Sequence, residues 1–362
     1  MKIGIIGTRG IPNHYGGFEE CAEQLAPRLV EMGHEVSVYN SHRHPFQDKV
    51  YKGVSIIHKY DPEHRMGTVG QFIYDFNCIL DARWRAFDVL LVLGYTSSSV
   101  WFWLAPAKAM LVTNMDGLEW KRSKYSGRVK QFLLRAERWA ARKSHLLIAD
   151  SKRIQEYLGD KYKANLVHIA YGAIPLKNPS ADVLEAYGLN PHEYNLLIAR
   201  LEPENHIETI LKGVLESQRD RIFMVVGNHD TAYGQKLKEK FKDSRIRFLG
   251  GVYDEASINS LRYYAALYFH GHSVGGTNPS LLEAMASQNI IVAHANPFNK
   301  EVLGDDGNYF IDASDVANAI HLLDRDERQK KMIKNNLEKI KTRYNWDVIA
   351  AQYEVAFKQG LL

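Results

Sequence analysis

The sequence predicts an α/β fold of two Rossmann-like, doubly wound domains facing a cleft. Three observations carry that expectation. Short apolar runs alternate with amphipathic segments along almost the whole chain, the pattern of strands and helices in parallel sheets. The alternation falls into two series, separated by Tyr171–Pro191 with its three prolines and two glycines. And 362 residues suit two or three domains at about 100–200 residues each. We place a first domain at 1–172 and a second at 173–345, with a last helix over 346–362 returning to the first.

In chain order, Lys2–Ile6 reads as a buried strand, followed by a Gly-rich turn and a helix over about Phe18–Met32. Val36–Tyr39, Val54–His58, Val89–Leu93, Met110–Thr113 and Leu146–Ala149 repeat the strand signal. The second series has strands at Leu196–Ala199, Ile222–Val226, Ile246–Leu249, Leu267–His270, Ile290–Ala293 and Asn308–Ile311. Its helices are expected near His206–Ser217, Ala232–Phe241, Glu255–Tyr264 and Ser280–Ser287, and Arg325–Leu362 reads as helical.

The 45% apolar and 24% charged residues exclude a disordered or collagen-like chain. A net charge of +4 is too small to imply nucleic-acid binding. With only Cys21 and Cys78, neither a disulfide scaffold nor a multi-cysteine zinc site is expected, which fits a reducing cytoplasm. The first residues lack the pattern of a signal peptide, and no run approaches the ~20 apolar residues of a membrane span. A cytoplasmic protein, at most peripheral on the inner face of the membrane, is expected.

In open α/β sheets ligands sit beyond the carboxyl ends of strands, so the loops there are the candidate sites. The first, Gly7 to Gly17, holds glycines that let backbone approach a ligand. An NAD fingerprint is excluded: the spacing is Gly7-x-x-Gly10, and the second strand ends at Tyr39-Asn40-Ser41 without an acidic residue. A purely structural turn is the alternative to a ligand loop. Arg9, Gly10, Tyr15, Gly16 and Gly17 are the candidate ligand residues of this loop. After another strand come Asp116, Glu119, Trp120, Lys121 and Arg122. A carboxylate there could orient or deprotonate an acceptor hydroxyl and the cations could hold phosphate; a solvated loop with an Asp-capped turn is the alternative.

Lys121–Lys143 holds nine Lys/Arg and one acid, a local +8 that leaves about −4 for the rest. Val129, Phe132, Leu133, Ala136, Trp139 and Ala140 recur at helical spacing within it. Such a helix can lie on an anionic membrane, or it can pack on its own sheet behind a solvated basic rim.

In the second series Arg200 follows a buried strand, where its fork suits a diphosphate or an ion pair with Glu202 or Glu204. Asn205 lies in the same loop, and Gly227, Asn228, Val252 and Tyr253 lie at other strand ends. In the run from His270 to Met285, His272, Gly275, Gly276, Thr277 and Asn278 lead into a helix that opens at Pro279, and Glu283 sits one turn in. Free N–H groups at the helix start suit an anion, and Glu283 could accept two vicinal hydroxyls or serve only as a capping glutamate. His42-x-His44, His270-x-His272 and Asp324-Arg-Asp326 lack the company a metal site needs, so no metal ligands are assigned.

Together these segments resemble the retaining glycosyltransferases of family 4, with the GT-B fold. Gly16-Gly17 resembles the acceptor-side glycine loop, Ala199-Arg200-Leu201 the "GRL" donor-phosphate motif, and Asn278–Met285 the second half of the E-x7-E motif. Gly7–Glu19 and Gly271–Ser280 are similar to a bacterial rhamnosyltransferase subgroup that extends lipid-linked polysaccharide precursors. The resemblance implies an acceptor-binding first domain and a donor-binding second one, with Arg9, Gly10, Gly16 and Gly17 toward the donor and Tyr15 toward the acceptor. It implies dTDP-rhamnose as donor, with a UDP- or GDP-sugar as the alternative, a polyprenyl-diphosphate-linked saccharide as acceptor, no separate cofactor, and roles for Arg200 on the diphosphate and Glu283 on the ribose. A non-catalytic nucleotide-sugar-binding protein is the alternative to an enzyme. Two positions depart from the family: Gly275 stands where the first glutamate is expected, and Asn205 where a phosphate-binding lysine is usual.

Overall fold

The computed structural model describes residues 1–14 and 16–361, so Tyr15 lies outside the described residues. The chain divides into two units. The first comprises Met1–Lys121, Tyr125–Tyr171 and Trp346–Leu362; the second comprises Arg122–Lys124 and Gly172–Asn345.

The first unit is built on strands β1 (Lys2–Ile6), β2 (Glu35–Ser41), β3 (Val50–Tyr51), β4 (Val54–Lys59), β5 (Val89–Leu93), β6 (Met110–Asn114), β7 (Leu146–Ala149) and β8 (Leu166–His168). Their order is β3-β4-β2-β1-β5-β6-β7-β8, parallel throughout except for the β3–β4 pair. β1 and β5–β7 are apolar because both sheet faces are covered. β3 and β8 were not expected from the sequence: two or three half-covered residues at a sheet edge carry no apolar run to detect. A Cβ on Gly7, at φ +89, would strike the Leu93 carbonyl, so glycine lets the chain leave β1 beside β5.

The second unit has strands β9 (Tyr194–Ile198), β10 (Ile222–Val226), β11 (Ile246–Gly250), β12 (Leu267–His270), β13 (Ile290–His294) and β14 (Asn308–Phe310). They form one parallel sheet in the order β11-β10-β9-β12-β13-β14. Leu197, Phe223, Val225, Phe269 and Val292 pack its core with Ile207, Ile210, Leu211 and Val316. Helices 207–216 and 313–322 approach so closely that a Cβ on Gly213 would overlap Val316.

The segment read as one helical stretch after Arg325 is two helices, Glu327–Thr342 and Trp346–Leu361. The second packs on helix Gly17–Glu31 of the first unit, with Arg28 pairing to Asp347 at 2.7 Å, His34 to Glu354 at 2.9 Å, and Asn114 donating to the Tyr353 hydroxyl at 3.1 Å. Trp346, Tyr353 and Phe357 are buried there. No helix is long and apolar enough to cross a membrane among the described residues.

Candidate functional site

In each sheet the chain starts at an inner strand and winds outward both ways, which opens a crevice at the carboxyl edge where the order reverses. In the second unit that point lies between β9 and β12. The loops that follow these strands hold Arg200 and the run from Gly271 to Asn278.

The two loops are tied together. Ser273 donates through N and Oγ to the Glu204 carbonyl at 3.2 and 2.8 Å, and a Cβ on Gly271 would collide with the Asn205 carbonyl. Asn205 is buried and its amide donates to the Arg200 carbonyl at 2.7 Å. It therefore shapes the turn that presents Arg200. The carbonyl of His272 accepts from Asn296 Nδ2 at 2.8 Å and Asn299 Nδ2 at 3.1 Å, which holds the loop from the β13 side.

Arg200 is exposed, and its guanidinium is not paired with Glu202 or Glu204 among the described residues. Glu202 instead takes Lys124 at 2.9 Å and Arg122 at 3.6 Å, while Glu204 accepts from Ser123 Oγ at 2.6 Å. Burial pushes the Glu202 carboxyl up, but the Lys124 hydrogen bond and the charges of Lys124, Arg200 and Arg122 outweigh it and hold it below the usual range. Burial, then the charges of Arg200 and Arg122, push the His272 imidazole down to about 3. His272 is thus neutral at pH 7 beside an excess of cationic charge, a setting suited to an anion.

Gly275 has φ +131 and open space around its Cβ position. Thr277 is buried, and Asn278 caps helix Pro279–Ala286 by accepting from Ser280 N at 2.9 Å. Glu283, one turn in, is not part of a capping box: its Oε2 accepts from Arg262 Nη2 at 2.6 Å. The Arg262 side chain is 6% exposed and that of Glu283 40%, so a buried cation aims a carboxylate toward solvent. Sequence reading missed Arg262, because an arginine in the amphipathic helix Glu255–Tyr263 reads as a solvated residue.

At the neighbouring strand ends, glycine at 227 is required by the Ala199 carbonyl rather than by a ligand. Asn228 Oδ1 accepts from Asp230 N at 2.9 Å in a local turn. Val252 is half-buried, and the exposed Tyr253 ring folds over the Gly251 backbone.

In the first unit the order reverses between β1 and β5. The loop after β1 fills its own N–H positions: Arg9 N donates to Glu19 at 2.8 Å, Asn13 N to Glu23 at 2.6 Å, and Asn13 Nδ2 to Glu20 at 3.0 Å. The Arg9 guanidinium forks onto Glu63 at 2.8 and 2.6 Å. Gly10, at φ +126, fits against Asn40, whose side chain bonds both the N–H and the carbonyl of Ile11. Gly16 and Gly17 begin the helix that bears these glutamates. With carboxylates already in place, the loop is a poor cradle for phosphate.

Asp116 follows β6 at φ +51, a left-handed conformation uncommon for a residue with a side chain. Its N–H is held by Asn114 Oδ1 at 3.1 Å, and its half-buried carboxylate caps no turn among the described residues. Glu119 and Trp120 lie in the following turn, and Lys121 stands over the Trp120 ring at 5.5 Å. Trp120 Nε1 donates to Glu137 at 3.2 Å, and Arg122 belongs with the second unit. His42 and His44 hold backbone groups, Asp324 pairs with Arg219, and Asp326 caps a helix, so these have structural partners. No group of three potential ligands for a metal occurs among the described residues.

Residues 186–339 match the family "Glycosyl transferases group 1". That stretch lies within the second unit. Residues 100–174 match "Domain of unknown function (DUF1972)". None of the curated proteins matches the chain. Over the whole chain, the fold is similar to sucrose-phosphate synthase from Thermosynechococcus elongatus, at TM-score 0.81 and 19% identity over 99% of this chain and 98% of that one. It is also similar to HepE of Anabaena, solved with UDP and glucose, at TM-score 0.75 and 17% identity over 99% and 100%. The UDP-forming trehalose-phosphate synthase of Burkholderia xenovorans, solved with glucose-6-phosphate, gives 0.74 and 12% over 99% and 100%. These likenesses establish the two-domain GT-B fold. Within the matched stretch, Arg200, the loop before Pro279 and Glu283 all lie at the carboxyl edge of the sheet.

Proposed function

We propose that this protein transfers a sugar, with retention, from a nucleoside diphosphate donor bound by its glycosyltransferase domain to a lipid-linked saccharide. The observation that carries the reading is the meeting at one switch point of an exposed Arg200, unpaired among the described residues, with a helix start and a carboxylate, Glu283, aimed by Arg262. Arg200 and the N–H groups before Pro279 would hold the diphosphate, and Glu283 the ribose hydroxyls. In the transfer the bond from the anomeric carbon to the phosphate oxygen breaks and a bond to the acceptor oxygen forms on the same face. The acceptor proton passes to the departing phosphate oxygen. Negative charge grows on the diphosphate, so preorganised donors act there, and losing one such donor costs about 3–4 kcal/mol at comparable sites.

Asp116 is our candidate to orient the acceptor hydroxyl, with Glu119, Trp120, Lys121 and Arg122 as its surroundings. Arg200 and its neighbouring cations would offset the diphosphate charge without a divalent ion. The subgroup resemblance supports dTDP-rhamnose as donor, a polyprenyl-diphosphate-linked acceptor and a peripheral contact of Lys121–Lys143 with anionic membrane.

The test is thermal stabilisation by dTDP-rhamnose, dTDP, UDP-glucose, UDP-galactose, UDP-GlcNAc and GDP-mannose, with Mg²⁺ or with EDTA. A ligand at ~100 times its Kd stabilises by ~2.7 kcal/mol. Selective, metal-independent stabilisation by dTDP-rhamnose is expected. Preference for a UDP- or GDP-sugar would retain the reaction class and discard the rhamnose donor. Donor binding without transfer to any acceptor would mean a nucleotide-sugar-binding protein, and no response would overturn the reading.

A further inference from the structure

Helix 68–82 carries an apolar outward face. Val69, Ile73, Phe76 and Leu80 recur at i, i+4, i+7 and i+11, and Val69 and Leu80 remain 57% and 39% exposed. The helix has no lysine, arginine or glutamate. Its two acids are withdrawn: Asp75 is buried and Asp81 is paired with Lys59 and Arg85. Beside it lies the turn 98–104. Trp101 packs on Phe76 at 5.0 Å and donates Nε1 to the Phe72 carbonyl at 2.8 Å, while Trp103 stands 67% exposed.

Helix 127–143 continues the surface. Phe132 meets Phe72 at 5.8 Å and Trp139 at 6.3 Å, and Trp139 is 40% exposed. Arg128, Arg135, Arg138 and Arg142 are exposed on this helix, and none pairs with a carboxylate among the described residues. Its one acid, Glu137, is buried and taken by Trp120, Tyr157, Lys161 and Tyr162. The surface thus joins exposed indoles and an aliphatic helix face to arginines without counter-ions. Tryptophan suits the boundary between acyl chains and headgroups, and unpaired arginines suit anionic headgroups.

We infer that helices 68–82 and 127–143, with the turn 98–104 between them, dock this unit on an anionic lipid bilayer, Trp103 and Trp139 entering the interface and the arginines contacting headgroups. This rests on the reading of a lipid-borne acceptor and assigns its membrane contact to a three-element surface. Helix 127–143 and most of the turn 98–104 lie in the stretch that matches the domain of unknown function. The apolar face alone would suit a protein partner; the uncompensated charge beside it selects the anionic surface.

The test is co-sedimentation of the full chain with vesicles of phosphatidylcholine alone or with about 30% phosphatidylglycerol, at rising salt. Binding is expected only to the anionic vesicles, weakening with salt, with a blue shift of tryptophan emission. At about fivefold per arginine, Arg128→Glu, Arg135→Glu and Arg142→Glu together should lower binding more than a hundredfold. Trp103→Ser with Trp139→Ser should abolish the blue shift and lower binding at least tenfold, with melting temperature and nucleotide response retained. No binding, equal binding to both vesicles, or undiminished binding by the tryptophan variant would overturn the proposal. Concentration-dependent self-association that Trp103→Ser disperses, without vesicle binding, would assign the face to a second copy. If vesicle binding holds while no nucleotide stabilises the protein, the transferase reading fails and the docking surface stands.

Discussion

At Glu283 a single carboxylate serves two neighbours, the buried Arg262 guanidinium and whatever approaches from solvent. Glu283→Gln keeps an oxygen for Arg262, so it should melt close to the parent in urea while losing at least tenfold in nucleotide affinity. Glu283→Ala should lose that affinity and also about 1–3 kcal/mol of stability, because a buried charged donor is left unmet. Equal stability of the two variants would show that Arg262 does not depend on the carboxylate. Asp116 separates chemistry from conformation in the same way. Asn tolerates φ +51, so Asp116→Asn should fold normally and lower turnover at least a hundredfold. Unchanged turnover would remove Asp116 from the site. Asp116→Val should also destabilise by about 1–2 kcal/mol, as a branched side chain resists the left-handed region. Neither Arg262 nor the half-buried, left-handed setting of Asp116 was legible as such. The sequence shows residue types at strand ends, whereas the partner of a side chain 21 residues away depends on how two helices meet.

At the scale of elements, helix 127–143 is held by its only acid. Glu137 is buried and accepts from Trp120, Tyr157, Lys161 and Tyr162. Burial alone would lower the Lys161 pKa, yet the hydrogen bonds to Glu137 and Tyr157 leave it above the usual lysine range. Glu137→Ala should cost about 1–3 kcal/mol, since four donors lose a buried acceptor while Lys161 can rehydrate. Denaturant melts of the two chains check this, and a change under 0.5 kcal/mol, about the usual size at exposed sites, would contradict it. Sequence reading left two uses open for this helix, lying on a membrane or packing on its own sheet. Packing claims Leu133, Ala136 and Ala140, which are buried, and leaves Trp139 and the arginines outside. The central strands were legible because they are continuous apolar runs. Edge strands β3 and β8 were not, because short half-exposed strands are specified by their neighbours.

Across the whole molecule, buried histidines and the buried Asp75 carry opposite pH signatures, and the first unit too has a histidine, His44, lowered chiefly by burial. In the second, His192, His206, His270, His272 and His294 all have lowered pKa values, with burial the first cause in each. His272 reaches about 3 and His294 about 4. Unfolded histidines bind protons near about 6.5 and the native ones do not, so this stability is present above about pH 6.5 and is lost as pH falls toward 4. In the first unit Asp75 is raised to about 7 by burial, against the hydrogen bond from Ser97. The native carboxyl binds the extra proton there, so its contribution is greatest below about pH 3.9 and is lost as pH rises to 7. Hydrogen exchange resolved by unit should show the second unit loosening between about pH 7.5 and 5. Asp75→Asn should stabilise the first unit at about pH 8, with the gain vanishing near about pH 4. A gain independent of pH would contradict the assignment.

The sequence by itself determined the two-sheet α/β architecture, because apolar runs that alternate with amphipathic segments have one economical way to cover both faces of a parallel sheet. It also placed Arg200, Asp116 and Glu283 at loops or helix starts beyond strands, where ligands of such folds bind. Only the tertiary structure decided which of these groups are available. The fork of Arg9 goes to Glu63 and the amide of Asn205 to a neighbouring carbonyl, whereas Arg200 is left unpaired among the described residues and Glu283 is aimed outward by Arg262. The physical reason is range. Strand and helix signals repeat over a few residues along the chain, while hydrogen bonding and charge pairing are settled between segments that only folding brings within 3 Å or so of each other.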